Sequence, residues 1–157
     1  MPGSWPQQDH PHLADSNCEI TSKVSPKYNC IAWAADDDKN NWWPSKRPVG
    51  YWPLTARRTR TLVAFIQAYR TRGYEVCADG TLEPGIEKIA IYGTVNQDDG
   101  SIIPTHAALQ LETGEWTSKM GPLEDIRHKT VNDVNGPLYG EPRRYMSRPR
   151  QVRQCQP

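Results

Sequence analysis

The sequence predicts an α+β domain, with a cysteine-bearing helix and an amphipathic helix packed on a small antiparallel sheet. Three observations lead there. Leu62, Phe65, Ile66 and Tyr69 recur at i, i+3, i+4 and i+7, the period of one buried helical face. Lys88 to Gly93, His106 to Glu112 and Glu115 to Met120 read as strands, parted by the turn residues Asn96 to Gly100 and Thr113-Gly114. Asn29-Cys30-Ile31-Ala32-Trp33-Ala34-Ala35 reads as a short apolar helix, with Asn29 suited to cap its start.

The elements follow in chain order. Residues 1–27, rich in Pro, Ser, Asp and His, read as an irregular arm. His10-Pro11-His12 has too few neighbouring ligands to hold a metal. The first helix is expected to stop at Asp36-Asp37-Asp38, because acids oppose the dipole at a helix C-terminus. Trp42-Trp43-Pro44 and Tyr51-Trp52-Pro53 repeat an aromatic-Trp-Pro pattern within a long loop. Those rings either pin the loop to the core or wall a cleft that stacks on sugar or peptide. The second helix is expected from about Ala56 to Arg72, with Arg57, Arg58, Arg60, Arg70 and Arg72 on its wet side and Gly73 just past its end. Val76 begins or edges the sheet. After Gly121 the chain reads as loop, with a short helix near Glu124 to His128. The domain is thus drawn over 28–142, and 143–157 as a basic tail with five Arg and two Pro.

Composition narrows the function classes. Nineteen basic and 18 acidic residues in a chain of 157 leave a net charge of +1, which makes no general case for nucleic acid. No run approaches the roughly 18 apolar residues of a membrane span. The opening Met1-Pro2-Gly3-Ser4-Trp5-Pro6 lacks the charged and apolar regions of a signal peptide. A cytoplasmic protein is therefore expected, or one exported by a route independent of a signal peptide, with no membrane association. Cys18, Cys30, Cys77 and Cys155 follow no zinc spacing and are read as reduced thiols. No metal or cofactor is expected.

The chemistry centres on Cys30 and His106. A thiol in the first turn of a helix meets its positive end, which favours thiolate. A histidine opening a strand can supply the base, so the two form a candidate thiol–imidazole nucleophile. The thiolate would attack an amide carbonyl, the imidazolium would protonate the leaving amine, and water would clear the acyl-enzyme. The Cys30 N–H is a candidate oxyanion donor. A third group should fix the imidazole tautomer. With a two-residue turn at Thr113-Gly114, His106 faces Gly121, which favours Asp125, with Glu124 as its neighbour, and leaves Ser118 roughly 10 Å away along the strand. One extra turn residue would change that set. Trp42, Trp43 and Trp52 are the candidate substrate-binding rings.

These motifs resemble known families. Tyr28-Asn29-Cys30-Ile31-Ala32-Trp33-Ala34, Trp42-Trp43-Pro44, Gly73 to Cys77, Thr105-His106-Ala107-Ala108 and Trp116 to Gly121 resemble an uncharacterised, mainly bacterial domain family over about residues 28–140. More distantly, the order of Cys30, strand, His106 and strand resembles the NlpC-type peptidases of the papain-like group. That resemblance implies a papain-like fold and a cysteine hydrolase: a peptidase, amidase or deamidase with a peptide or amide-containing substrate. It puts the third catalytic position near Ser118. Asn29 stands where those peptidases usually carry Asp, and Val24 where a papain-type oxyanion Gln would be. The rival expectation is a non-catalytic binding module that uses the aromatic loop for a protein or glycan partner.

Overall fold

A computed structural model describes residues 3–45 and 50–151. Lys46 to Val49 of the aromatic loop and the tail from Val152, with Cys155, lie outside the described residues. Among the described residues two α-helices, α1 (Cys30–Ala34) and α2 (Leu62–Arg70), accompany seven strands. The strands are β1 (Glu19–Ile20), β2 (Glu75–Cys77), β3 (Ile86–Val95), β4 (Ile102–Gln110), β5 (Trp116–Lys119), β6 (Asp125–His128) and β7 (Glu141–Pro149). They form one antiparallel sheet in the order β1-β6-β5-β4-β3-β7-β2. The architecture is α+β, and the finer papain-like class remains a resemblance.

Strand alternation builds a core on each face of the sheet. Ile89, Ile91, Ala107 and Leu109 point to the face covered by α1 and α2, where Ile31, Trp33, Phe65, Tyr69 and Tyr74 complete the cluster. Ala90, Tyr92, Ala108, Trp116 and Ile126 point to the other face, and Trp5, Leu13, Val134 and Tyr139 cover them. The N-terminal arm is therefore part of the fold. Its single-turn helices Gln7–Asp9 and Leu13–Asp15 close the second face, and Glu19–Ile20 adds a strand beside β6.

Three expectations change. The Glu124 to His128 segment is strand β6 rather than helix, because its alternating side chains are held between β5 and β1. The basic stretch from Arg143 lies in β7, which fills the sheet between β3 and β2, so the sheet continues past residue 142. Arg148 in this strand is neutralised in place. Arg148 Nε donates to the buried Glu87 carboxylate at 2.7 Å, and Arg148 Nη1 donates to the Arg72 carbonyl at 2.7 Å. The second helix starts at Leu62, six residues after the expected Ala56, where the Thr61 hydroxyl accepts the Ala64 N–H at 3.2 Å. Thr61 is a side-chain N-cap, and its requirement for extended backbone fixes the boundary.

Candidate functional site

Asn29 seats the cysteine. Its side-chain oxygen accepts the Ala32 N–H at 3.0 Å and the Trp42 N–H at 3.1 Å, while its amide donates to the Trp42 carbonyl at 2.8 Å. One residue thus caps α1 and ties it to the aromatic loop. Tyr69 donates to the Ile31 carbonyl at 2.8 Å, and Trp33 Nε1 donates to Thr117 Oγ1 at 3.1 Å, which locks α1 onto the sheet.

The β4–β5 ladder is only two pairs long, Leu109 with Thr117 and Gln110 with Trp116. Beyond them the strands part. The Cys30 thiol reaches the edge of β4 that β5 leaves, with Sγ 4.0 Å from the Thr105 carbonyl oxygen. The Ala107 N–H also faces the sulfur. The thiol therefore lies against the backbone on either side of His106. A bulge at this point, where Tyr92 pairs with His106 but Gly93 with Pro104, leaves Thr105 as the extra residue.

His106 itself points to the opposite face. Its ring lies 5.1 Å from Tyr92 and stacks on Tyr139 at 3.9 Å with the planes 6° apart. Nε2 is 3.0 Å from Ser118 Oγ, and that hydroxyl is 2.8 Å from His128 Nε2. His128 Nδ1 is 2.8 Å from the Thr130 carbonyl. His106 Nδ1 is buried without a hydrogen-bond partner. The expected direct thiol–imidazole hydrogen bond is absent from this arrangement: the ring and the sulfur approach one strand from its two faces.

Of the candidate orienters, Ser118 meets His106 and Asp125 does not. The turn after β4 is longer than two residues, so Leu109 rather than Gln110 faces Thr117 and the register slips by one. Lys119 pairs with Asp125 across β5 and β6, which puts the Asp125 carboxylate on the α1 side. There it accepts the Tyr28 hydroxyl at 2.8 Å. His128, which from sequence is a second possible base or a satisfied loop histidine, completes the contact chain. Three residues apart in strand β6, Asp125 and His128 lie on opposite faces of the sheet.

Electrostatics leave both central groups uncharged. Burial pushes the Cys30 thiol up to about 11, against the pull of the Ala107, Ile31 and Cys30 N–H groups. The five-residue α1 is too short to reverse that. Burial holds His106 well below the ordinary histidine range, and the nearby His128 and His10 push it the same way. His128 is lowered too, by burial, against the opposing Thr130 hydrogen bond.

A cleft of about 250 Å³ opens at this end of the sheet, between the arm and the β5–β6 turn. Cys30, Thr105, Tyr139, Trp5, Met120 and Arg60 are among its walls. Trp42 and Trp52 are buried in the core instead, with Trp52 against Phe65 at 5.1 Å. Half-buried Trp43 also packs on Phe65, and the Arg60 guanidinium lies 5.2 Å above its ring. These rings pin the loop, and the aromatic contribution to the cleft comes from Trp5 and Tyr139.

Residues 19–147 match a family described as a domain of unknown function (DUF7689). The chain belongs to that family. No curated protein and no solved structure matches it significantly.

Proposed function

We propose that this DUF7689 chain is a cysteine hydrolase acting on an amide bond, with Cys30 as nucleophile and His106 as base. The observation that supports the reading is the placement of the thiol against the backbone flanking His106, whose buried Nδ1 has no hydrogen-bond partner. The substrate is a peptide or another amide with an apolar group for the cleft. The site rests as thiol and neutral imidazole. On attack, the sulfur bonds to the carbonyl carbon, and its proton passes to His106 around the parted edge of β4 by way of a water admitted to the cleft. The imidazolium then gives that proton to the leaving amine, and water hydrolyses the thioester. Tyr139 covers the imidazole, so substrate entry displaces that ring from the His106 face. Ser118 is the orienting residue in this scheme.

A protein with Cys18, Cys77 and Cys155 replaced by Ser tests the reading. Treated with p-nitrophenyl acetate, it should carry one acetyl group by intact mass, which is lost in the Cys30→Ser variant. Unlabelled protein would refute the nucleophile. A second reading, a binding module, draws support from the raised thiol and lowered imidazole. In it the cleft receives an apolar group of a protein or glycan partner and no bond is made.

A further inference from the structure

The hydrogen bonds around His106 run in one direction, and the direction can be read from its far end. A backbone carbonyl only accepts. His128 Nδ1, 2.8 Å from the Thr130 carbonyl, must therefore carry its proton. His128 is neutral, since burial lowers it, so its Nε2 is a bare acceptor. Ser118 Oγ, 2.8 Å away, then donates its single proton to His128. With that proton committed, the hydroxyl can only accept from His106 Nε2 at 3.0 Å. Nε2 thus bears the His106 proton, and Nδ1 is left as a buried lone pair without a partner.

We propose that His128, acting through Ser118, is a positioning residue that sets the tautomer of His106 and keeps its Nδ1 free as a base. The Thr130 carbonyl is the fixed point. Thr130 caps the turn Val131–Val134 by donating twice to the Asp133 carboxylate, from its N–H at 3.0 Å and from its hydroxyl at 2.8 Å. The backbone of a capped turn therefore dictates the proton position on a histidine two strands away. Ser118 has the right parity for this: it shares a face with His106 and His128, as Trp116 and Met120 do, because β5 alternates. A hydroxyl is required at the middle position because it can both accept and donate. As a catalytic role the inference rests on the hydrolase reading. As a hydrogen-bond direction it does not, so the two can fail separately.

Nitrogen-15 NMR of the histidine rings in the full chain tests it. The wild-type protein should show His106 with a protonated Nε2 and an unprotonated Nδ1, and His128 with the reverse. In His128→Leu, Ser118 regains a free proton to give to His106, so the Nδ1–H tautomer of His106 should appear. In His128→Gln, the side-chain carbonyl can still accept from Ser118, and the wild-type tautomer should return. A wild-type His106 protonated at Nδ1 would overturn the proposal outright, whether or not the variants fold. So would an unchanged His106 tautomer in a folded His128→Leu protein. Wild-type tautomers as stated, together with an inert Cys30, would leave the relay standing and remove the hydrolase.

Discussion

The protonation state of Cys30, the proposed nucleophile, is decided by competition between three N–H groups and full burial. Burial wins, which places the thiol near 11. Alkylation by iodoacetamide should therefore track the rising thiolate fraction. Between pH 6.5 and 8 the rate should climb by about 30-fold, in proportion to hydroxide. A flat profile across that range would mean a preformed thiolate–imidazolium pair, which the helix-start position suggests from sequence alone. The sequence carries the position of the cysteine and not its desolvation: Ile31 and Trp33 are visibly apolar, but only the packed sheet buries the sulfur against backbone groups. Likewise His106 is recognisable as a strand-opening histidine. Its face is not, because a bulge at Thr105 and a one-residue register slip after β4 both lie below the resolution of a hydrophobic pattern.

At the level of elements, α1 survives on tertiary support. A five-residue helix has little intrinsic stability. Asn29 supplies the cap and three bonds in all, so Asn29→Ala should cost about 2 kcal/mol in urea unfolding, at the upper end for a capping residue. A change below about 0.5 kcal/mol would show that the bonds to Trp42 contribute nothing. The turn that delivers Tyr139 is equally specific. Gly140 has φ of 71°, and an added Cβ would come 2.1 Å from the Gly93 carbonyl oxygen. Gly140→Ala should then destabilise the protein by more than 1 kcal/mol and loosen the Tyr139–His106 stack, seen as faster Cys30 labelling at fixed pH. Labelling at the wild-type rate would mean Tyr139 does not guard the site. The amphipathic α2 and the strands β3, β4 and β5 were legible from period and turn chemistry. Strand β7 was not, since its arginines and prolines read as tail; Glu87, Arg72 and the sheet edges that accommodate them come from distant parts of the chain.

For the whole molecule, the buried imidazoles tie stability to pH. His106 and His128 titrate lower in the folded protein than in the unfolded chain. The unfolded state therefore binds more protons on acidification, and stability falls as pH drops below the ordinary histidine range near 6.5. Their joint contribution is fully present above that range. Two uncompensated protons give a slope that reaches roughly 2 to 3 kcal/mol per pH unit about one unit below it. Asp125 acts in the opposite sense: burial raises it, so it takes up its proton earlier in the folded state and softens the loss at lower pH. Urea midpoints at pH 7, 6 and 5 should decline, and less steeply in His128→Gln. A flat series would mean that the two rings are already charged in the fold. Among the described residues no helix is long and apolar enough to cross a membrane. The arm closes one face, the helices close the other, and the cleft lies where both covers end, beside the thiol.

The proposed chemistry stands or falls on whether His106 acts on Cys30. Acetylation of Cys30 by p-nitrophenyl acetate, followed by stopped-flow absorbance at pH 7, compares the intact protein with His106→Asn. With His106 as base, the rate constant should fall by about 100-fold while the fold, followed by circular dichroism, is kept. Equal rates in two folded proteins would show that the imidazole plays no part in activating the thiol.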